Sequence, residues 1–338
     1  MPPAAPPADP AGRWLAAAVL AAVAAAPLLA NPYVLGYATL VVITAVGAVG
    51  FNILLGWTGL VSLGYAGFLA LGAYAGAFLM TTWGWSVLAA LPAAGLVAAL
   101  ASLLVGVPSL RLKGLYLAIT TLAFSVIVDQ VVLLARPITG GSAGLAVRRA
   151  ALFGVDLSGD RALYVICLVV LAATIALAVN IRRSFVGRAL FAVRDYEVAA
   201  RVLGINVVAF KLLSFALSSA LIGVAGALFA MNIRYLNVES FDLFLSIQAV
   251  SVLIVGGIGS ISGAVVGSVF MVLLPEAVRL VFTLPGGAAG SLFSSNAQEI
   301  KGVIYGLVII LFLRFAPDGL IGALRRLAAA VRRWPLAA

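Results

Sequence analysis

The chain has 338 residues, of which 64% are hydrophobic and only 9% charged, and its formal net charge is +10. Soluble domains carry roughly 45–50% apolar and about 25% charged residues, so too few polar side chains are present to cover a water-facing globule of this size, and a secreted or cytosolic fold is excluded. There is no histidine and a single cysteine, Cys167, so an intrachain disulfide is excluded, and zinc or imidazole acid–base chemistry lacks its usual groups. Cys167 reads as a small buried hydrophobe. The basic residues cluster near the ends of apolar runs, where membrane topology expects them, and nucleic acid is not an expected partner.

The apolar runs are long, rich in Ala, Leu, Val and Gly, and lack strict alternation, which predicts helices and not a barrel. The expected fold is an all-α polytopic membrane protein with about ten transmembrane helices. Residues 1–13 form a proline-rich, disordered cytoplasmic tail, and 14–320 a single membrane domain. Spans are predicted at 14–30, 33–55, 65–82, 86–107, 114–135, 162–180, 212–232, 243–255, 263–282 and 302–315. About 20 residues are needed to cross ~30 Å of hydrocarbon, so the eighth is short or discontinuous. With the amino terminus inside, Arg13, Arg111, Lys113, the basic stretch 181–211 and the basic tail 321–338 all fall on the cytoplasmic face, an excess of Lys and Arg that fits the positive-inside rule.

Between the second and third spans, GWTGLVSLGYAGF (56–68) is too polar and glycine-rich for an uninterrupted lipid-facing helix. It reads either as a bend at membrane depth or as a short cytoplasmic turn. Irregular backbone at depth is tolerated only where protein or a water-filled cavity covers it, so Asn52, Thr58, Ser62 and Tyr65 are candidate pathway residues. Thr120 and Thr121 in the fifth span, and Gln248 and Ser251 in the eighth, join them as uncharged hydrogen-bonders inside apolar runs. Asp129 and Gln130 lie in the fifth span near the outer interface, and an intramembrane acid is a functional candidate by default. The outward loop 136–161 contains ITGGSAGL, rich in turn residues. Gly72 with Gly76, and Gly259 with Gly263 and Gly267, recur at four-residue spacing and predict close helix packing. Glu276 and Arg279 stand at i, i+3 and can pair.

No constellation for chemistry appears. None of Lys113, Lys211 or Lys301 follows a glycine, so a GxxxxGK[ST] phosphate loop is missing, and no paired carboxylates mark a hydrolytic site. The chain is not expected to be an enzyme or to bind a cofactor. An ion-coupled transporter working alone needs buried ionisable groups, and Asp129 is the one plausible relay.

The polar interruption at 187–211 sets Arg188, Arg194, Arg201 and Lys211 against Asp195 and Glu197. Leu190, Val193, Ala200 and Leu203 repeat at helical intervals, which predicts one short amphipathic helix at the membrane face. Gly204 suits a left-handed stop.

NILLGWTGLVSLGYAGFLALGAYAGAF (52–78), RLKGLYLAITTLAF (111–124), TGGSAGL (139–145), GRALFAVRDYEVAARVLGINV (187–207), LLPE (273–276) and RFAPDGL (314–320) together resemble the permeases of branched-chain amino acid ABC importers, over 33–320. That resemblance implies a type II-like importer permease in the inner membrane. Its partners would be a second related permease, two ATP-binding ATPase subunits and an extracytoplasmic binding protein. It also implies that Arg188, Arg194, Asp195, Glu197, Ala199, Ala200, Arg201 and Gly204 belong to the surface seated on an ATPase. Leu60, Tyr65 and Ala143 depart from residues common in relatives, and urea or short-amide importers share the scaffold, so the cargo stays open between these.

Overall fold

A computed structural model of the chain describes residues 31–109, 114–147, 159–283, 297–315 and 319–322. The expected first span at 14–30, Lys113, and nearly all of both tails lie outside these residues. The helices are α1 Pro32–Asn52, continued by a π-helical segment Ile53–Trp57; α2 Tyr65–Thr81; α3 Val87–Ser109; α4 Leu115–Leu134; α5 Asp160–Arg183; α6 Phe185–Asp195; α7 Glu197–Val202; α8 Val207–Ile233; α9 Leu243–Gly256; α10 Ile261–Thr283; and α11 Ala297–Phe315. Among the described residues six stretches are long and apolar enough to cross a membrane, and Tyr65–Thr81, Ile261–Ala277 and Gly302–Phe312 are shorter apolar helices. The chain is thus an all-α, multi-pass membrane protein. The short eighth span is α9, which a 3₁₀ turn at Val238–Phe241 extends to the 19 residues Val238–Gly256.

Helix α8 runs through the middle of the bundle, packed on α1, α2 and α3. Lipid offers no hydrophobic force to press helices together, so close backbone approach at small residues does that work. A Cβ on Gly72 would collide with the Gly223 backbone, and one on Gly76 would lie 2.6 Å from the Ala227 Cβ. Gly263 and Gly267 similarly seat α10 against Gly256 of α9. Gly259 does not belong to that helical seam: it stands in the turn between α9 and α10 with φ +85°, a left-handed geometry that the four-residue spacing concealed. Cys167 is fully buried in α5. On the outside, α4 shows Leu115, Ile119, Ile127 and Leu134, the exposed apolar face expected against lipid or another chain.

The ITGGSAGL turn is ordered. The Thr139 hydroxyl donates to the Val132 and Ala135 carbonyls, and Gly140, Gly141 and Gly144 all take positive φ. It delivers a two-residue strand β1, Leu145–Ala146, antiparallel to β2, Tyr235–Leu236, just beyond α8.

Residues 59–64 do not form a helix, and Ser62 and Gly64 among them are buried in the bundle before α2 begins. Four backbone N–H groups at that start need acceptors that water cannot supply there. Neighbouring hydroxyls accept them: Thr121 from Leu63 at 2.9 Å, Ser62 from Gly64 at 3.2 Å, Ser246 from Ala66 at 3.0 Å and Ser125 from Gly67 at 3.3 Å. The Ala66–Ser246 bond also fixes the depth of α9 against α2.

Candidate functional site

The bundle has two polar regions at opposite ends. At the end carrying Arg182 and Arg183, α6 and α7 lie across the ends of the long helices. The predicted single amphipathic helix is two, broken at Tyr196, whose extended backbone (φ −149°, ψ 88°) turns the chain. Leu190, Val193 and Ala200 are buried, but the break rotates Leu203 outward, and it is 78% exposed. Gly204 takes φ +81° and ends α7, its N–H bonded to the Arg201 carbonyl. Val193, Ala200 and Val207 form a small core that joins both helices to the start of α8.

Glu197, half-buried, and Arg194, largely exposed, both bond back to their own chain. Glu197 accepts from Arg201 at 2.6 Å and from Lys211 at 2.9 Å, and Lys211 is a buried cation of α8. Arg194 donates to the Gly56 carbonyl at 2.5 Å, in the π-helical segment that ends α1. π-segments free a carbonyl from the helical ladder and often stand at functional positions, and Arg194 takes up one of them. Around it the Asn52 side-chain oxygen accepts from the Gly259 N–H at 2.8 Å, the Trp57 indole donates to the Gly259 carbonyl at 3.2 Å, and Phe191 stacks on Trp57. The Asn52 amide nitrogen is buried without a partner among the described residues. One joint therefore holds α6, the end of α1 and the α9–α10 turn. Gly319 presses on that turn from the other side, where a Cβ would lie 2.5 Å from the Gly257 nitrogen.

The outer face of the pair presents Tyr196, Val198, Val202 and Leu203, each 76–83% exposed, with Ala199, Arg188, Asp195 and Arg201 among them. Arg188 donates to the Arg183 carbonyl at 3.1 Å, which pins the chain leaving α5.

At the opposite end a cavity of about 910 Å³ opens between α1, α2, α5, α8, α9, α10 and α11. Its rim carries Asp160, Arg234, Glu239, Asp242 and Glu276. Asp160 pairs with Arg234 at 2.9 Å, and Asp242 caps α9 by accepting from the Leu245 N–H. Glu276 accepts from Tyr33 at 2.8 Å and Tyr37 at 2.9 Å, tying α10 to α1; the Arg279 side chain, expected as its partner, lies outside the described residues. Deeper, Leu40, Ile43, Leu69, Phe244 and Val272 make the walls apolar. Gln248 donates to the Tyr305 hydroxyl at 3.2 Å, which in turn donates to the Met271 carbonyl.

Of the eight expected pathway residues, Tyr65 and Gln248 line this cavity. Thr121 and Ser62 instead satisfy the start of α2, Thr58 donates to the Ile53 carbonyl beside the π-segment, and Asn52 belongs to the joint. Thr120 and Ser251 donate to carbonyls one turn back in their own helices. Asp129 is half-buried and Gln130 exposed on α4, away from the cavity wall. Tyr33 and Tyr37 were not expected here, and Glu276 was expected only as the partner of Arg279; aromatic hydroxyls at one helix end and an acid at another leave no local signal that they meet.

A multi-helix membrane bundle with a solute-sized cavity at one end and, at the other, a laterally exposed helix pair bolted to the cavity-forming helices has the anatomy of a transport permease. Residues 33–313 match the family described as the branched-chain amino acid transport system / permease component, and the chain belongs to that family. It is 30% identical over 328 residues to the high-affinity branched-chain amino acid transport system permease protein LivM of Escherichia coli K12, covering 90% of this chain and 73% of that protein. The LivM protein of Salmonella typhimurium LT2 matches at 31% over the same shares. LivH, a permease protein of the same Salmonella strain, matches at 31% over 159 residues, 47% of this chain and 46% of that protein. No solved structure matches the chain.

Proposed function

We propose that the chain is a pore-forming permease subunit of an ATP-driven importer for branched-chain or other hydrophobic amino acids. It lies in the inner membrane with the α6–α7 end in the cytoplasm. The observation that carries this reading is the two-sided character of α6 and α7. One side is bonded through Arg194 and Lys211 to the membrane helices; the other exposes Tyr196, Val198, Val202 and Leu203. A contiguous apolar strip rimmed by charge at a water-facing end calls for a protein partner, and an ATPase subunit is the partner that a permease without its own phosphate loop requires. Two such ATPases, a second related permease and a binding protein at the cavity end complete the assembly. ATP belongs to the ATPases, and this chain supplies no catalytic group.

Coupling needs contacts that differ between two states. A push on α6 is passed by Arg194 to Gly56 at the end of α1, and through Asn52 and Trp57 to Gly259 at the α9–α10 turn. The far ends of α1, α9 and α10 wall the cavity. Tilting the joint therefore changes the cavity without deforming any helix, as the close packing of helices demands. The test is reconstitution: Val198→Asp with Val202→Asp should abolish co-purification of the ATPases while the permease still inserts, and retained ATPase binding by that double variant overturns the docking surface.

A further inference from the structure

The cavity lies inside one permease chain, and its floor is built for hydrogen bonding. Tyr65 is 5% exposed, lines the cavity, and its hydroxyl makes no hydrogen bond among the described residues. A hydroxyl that lines a cavity and is not engaged by the protein is free to bond a ligand or water there. Its position is enforced: a Cβ on Gly47 would collide with the Tyr65 oxygen, so only glycine lets the ring stand there. Thr44, one helical turn from Gly47 on α1, faces the same space. The Ala66–Ser246 bond brings α9 to this level, and the Gln248 amide, its nitrogen anchored on Tyr305, keeps its oxygen as an open acceptor. Above this floor, Ile43, Leu69 and Val272 give an aliphatic wall. Glu239 and Asp242 at the mouth have no ion-pair partner among the described residues, so the entrance attracts cationic groups and repels anions.

We infer that this intra-chain cavity is a holding site for one aliphatic α-amino acid in its zwitterionic form. This rests on the transport reading above and adds where in the chain the solute pauses. The carboxylate accepts from the Tyr65 and Thr44 hydroxyls, the ammonium donates to the Gln248 oxygen, and the side chain lies on Ile43, Leu69 and Val272. Neutral donors and acceptors suit a zwitterion, which needs no compensating charge and must leave again during transport. The volume, about 910 Å³, falls in the range of small-molecule sites and leaves room for water beside the solute.

The test is equilibrium binding of radiolabelled leucine to the assembled importer in lipid nanodiscs, without binding protein or nucleotide, with ATP-driven uptake measured in parallel. Wild type should bind leucine in the millimolar range or better, and 4-methylpentanoate, which lacks the ammonium, should not compete. Tyr65→Phe keeps the ring and its packing but removes the hydroxyl; it should weaken leucine binding about tenfold, the factor a hydrogen bond to a charged group is worth. Gly47→Ala, which drives the ring into the cavity, should lower binding further. Leucine affinity unchanged in both variants overturns the site, as does equal competition by 4-methylpentanoate. Absence of wild-type binding while ATP-driven uptake persists overturns the site and leaves the importer assignment standing.

Discussion

Glu197→Ala and Lys211→Met remove the two halves of one ion pair, yet their costs should differ. The Lys211 side chain is 9% exposed and that of Glu197 22%, with 2.9 Å between the charged atoms. Removing the carboxylate strands an ammonium that water can barely reach. Breaking a fully buried pair in this way costs about 3–5 kcal/mol, and the partial exposure of Glu197 reduces that to about 2 kcal/mol. Removing the lysine instead leaves Glu197 with Arg201 at 2.6 Å and fills the buried space with a thioether chain of similar length; this costs under about 1 kcal/mol. Because α7 is held to α8 by this pair, the loss falls on local opening of the 196–203 segment. Two kcal/mol raises the open population roughly 30-fold, and chymotrypsin cleavage after Tyr196 should accelerate by that factor in Glu197→Ala and only a few-fold in Lys211→Met. Equal acceleration in the two variants, or a larger one in Lys211→Met, refutes the buried-cation argument.

Arg194→Ala cuts the bond to Gly56 and should lower leucine taken up per ATP hydrolysed about five- to thirtyfold, the range of a 1–2 kcal/mol coupling loss, while ATPase subunits still co-purify. Thr121→Ala removes the acceptor for the Leu63 N–H and should cost about 1 kcal/mol, read as a lower thermal midpoint of the purified permease, without altering the ligand-bound spectrum of the cavity tyrosines. Gly72→Leu places a side chain where the Gly223 backbone lies and should prevent recovery of folded protein, whereas Gly36→Ala, with nothing within 4 Å of the new Cβ, should be recovered at wild-type yield.

The helices were legible because each is an apolar run of spanning length closed by polar or glycine-rich sequence, and the described helix ends fall within a few residues of the expected ones for most spans. The starts of α8 and α11 differ most, each five residues ahead of the expected span; in α8, Val207 to Lys211 extend the helix because the Asn206 side chain caps it, accepting from the Ala209 N–H. What could not be read is which polar group serves which need. Thr121 and Ser62 were singled out as hydroxyls in apolar runs, but a helix that begins inside the bundle has N–H groups to satisfy, and those hydroxyls are committed to them. The π-segment at Ile53–Trp57 left no trace, since ILLGW is as compatible with an α-helix; its cause is tertiary, in the bonds from Arg194, Trp57 and Asn52. Likewise the apolar positions of α1 and α9 do not distinguish a cavity wall from a lipid face, because both want the same side chains. The polar stretch 187–211 was legible as a helical segment, but not which of its groups bond back to the bundle: Arg194, though exposed, donates to the Gly56 carbonyl, Glu197 accepts from Lys211, and Leu203, expected inward, is exposed.

On the proposed function, this chain moves amino acids only as part of an ATP-driven assembly. The most direct measurement compares leucine uptake by proteoliposomes holding the purified chain alone with uptake by liposomes holding both permeases, the ATPases, the binding protein and ATP. Accumulation against a gradient is expected in the full assembly, with its loss when ATP is withheld and no uptake above protein-free liposomes by the chain alone. Leucine uptake by the chain alone, driven by an ion gradient or running passively, would contradict the proposed function.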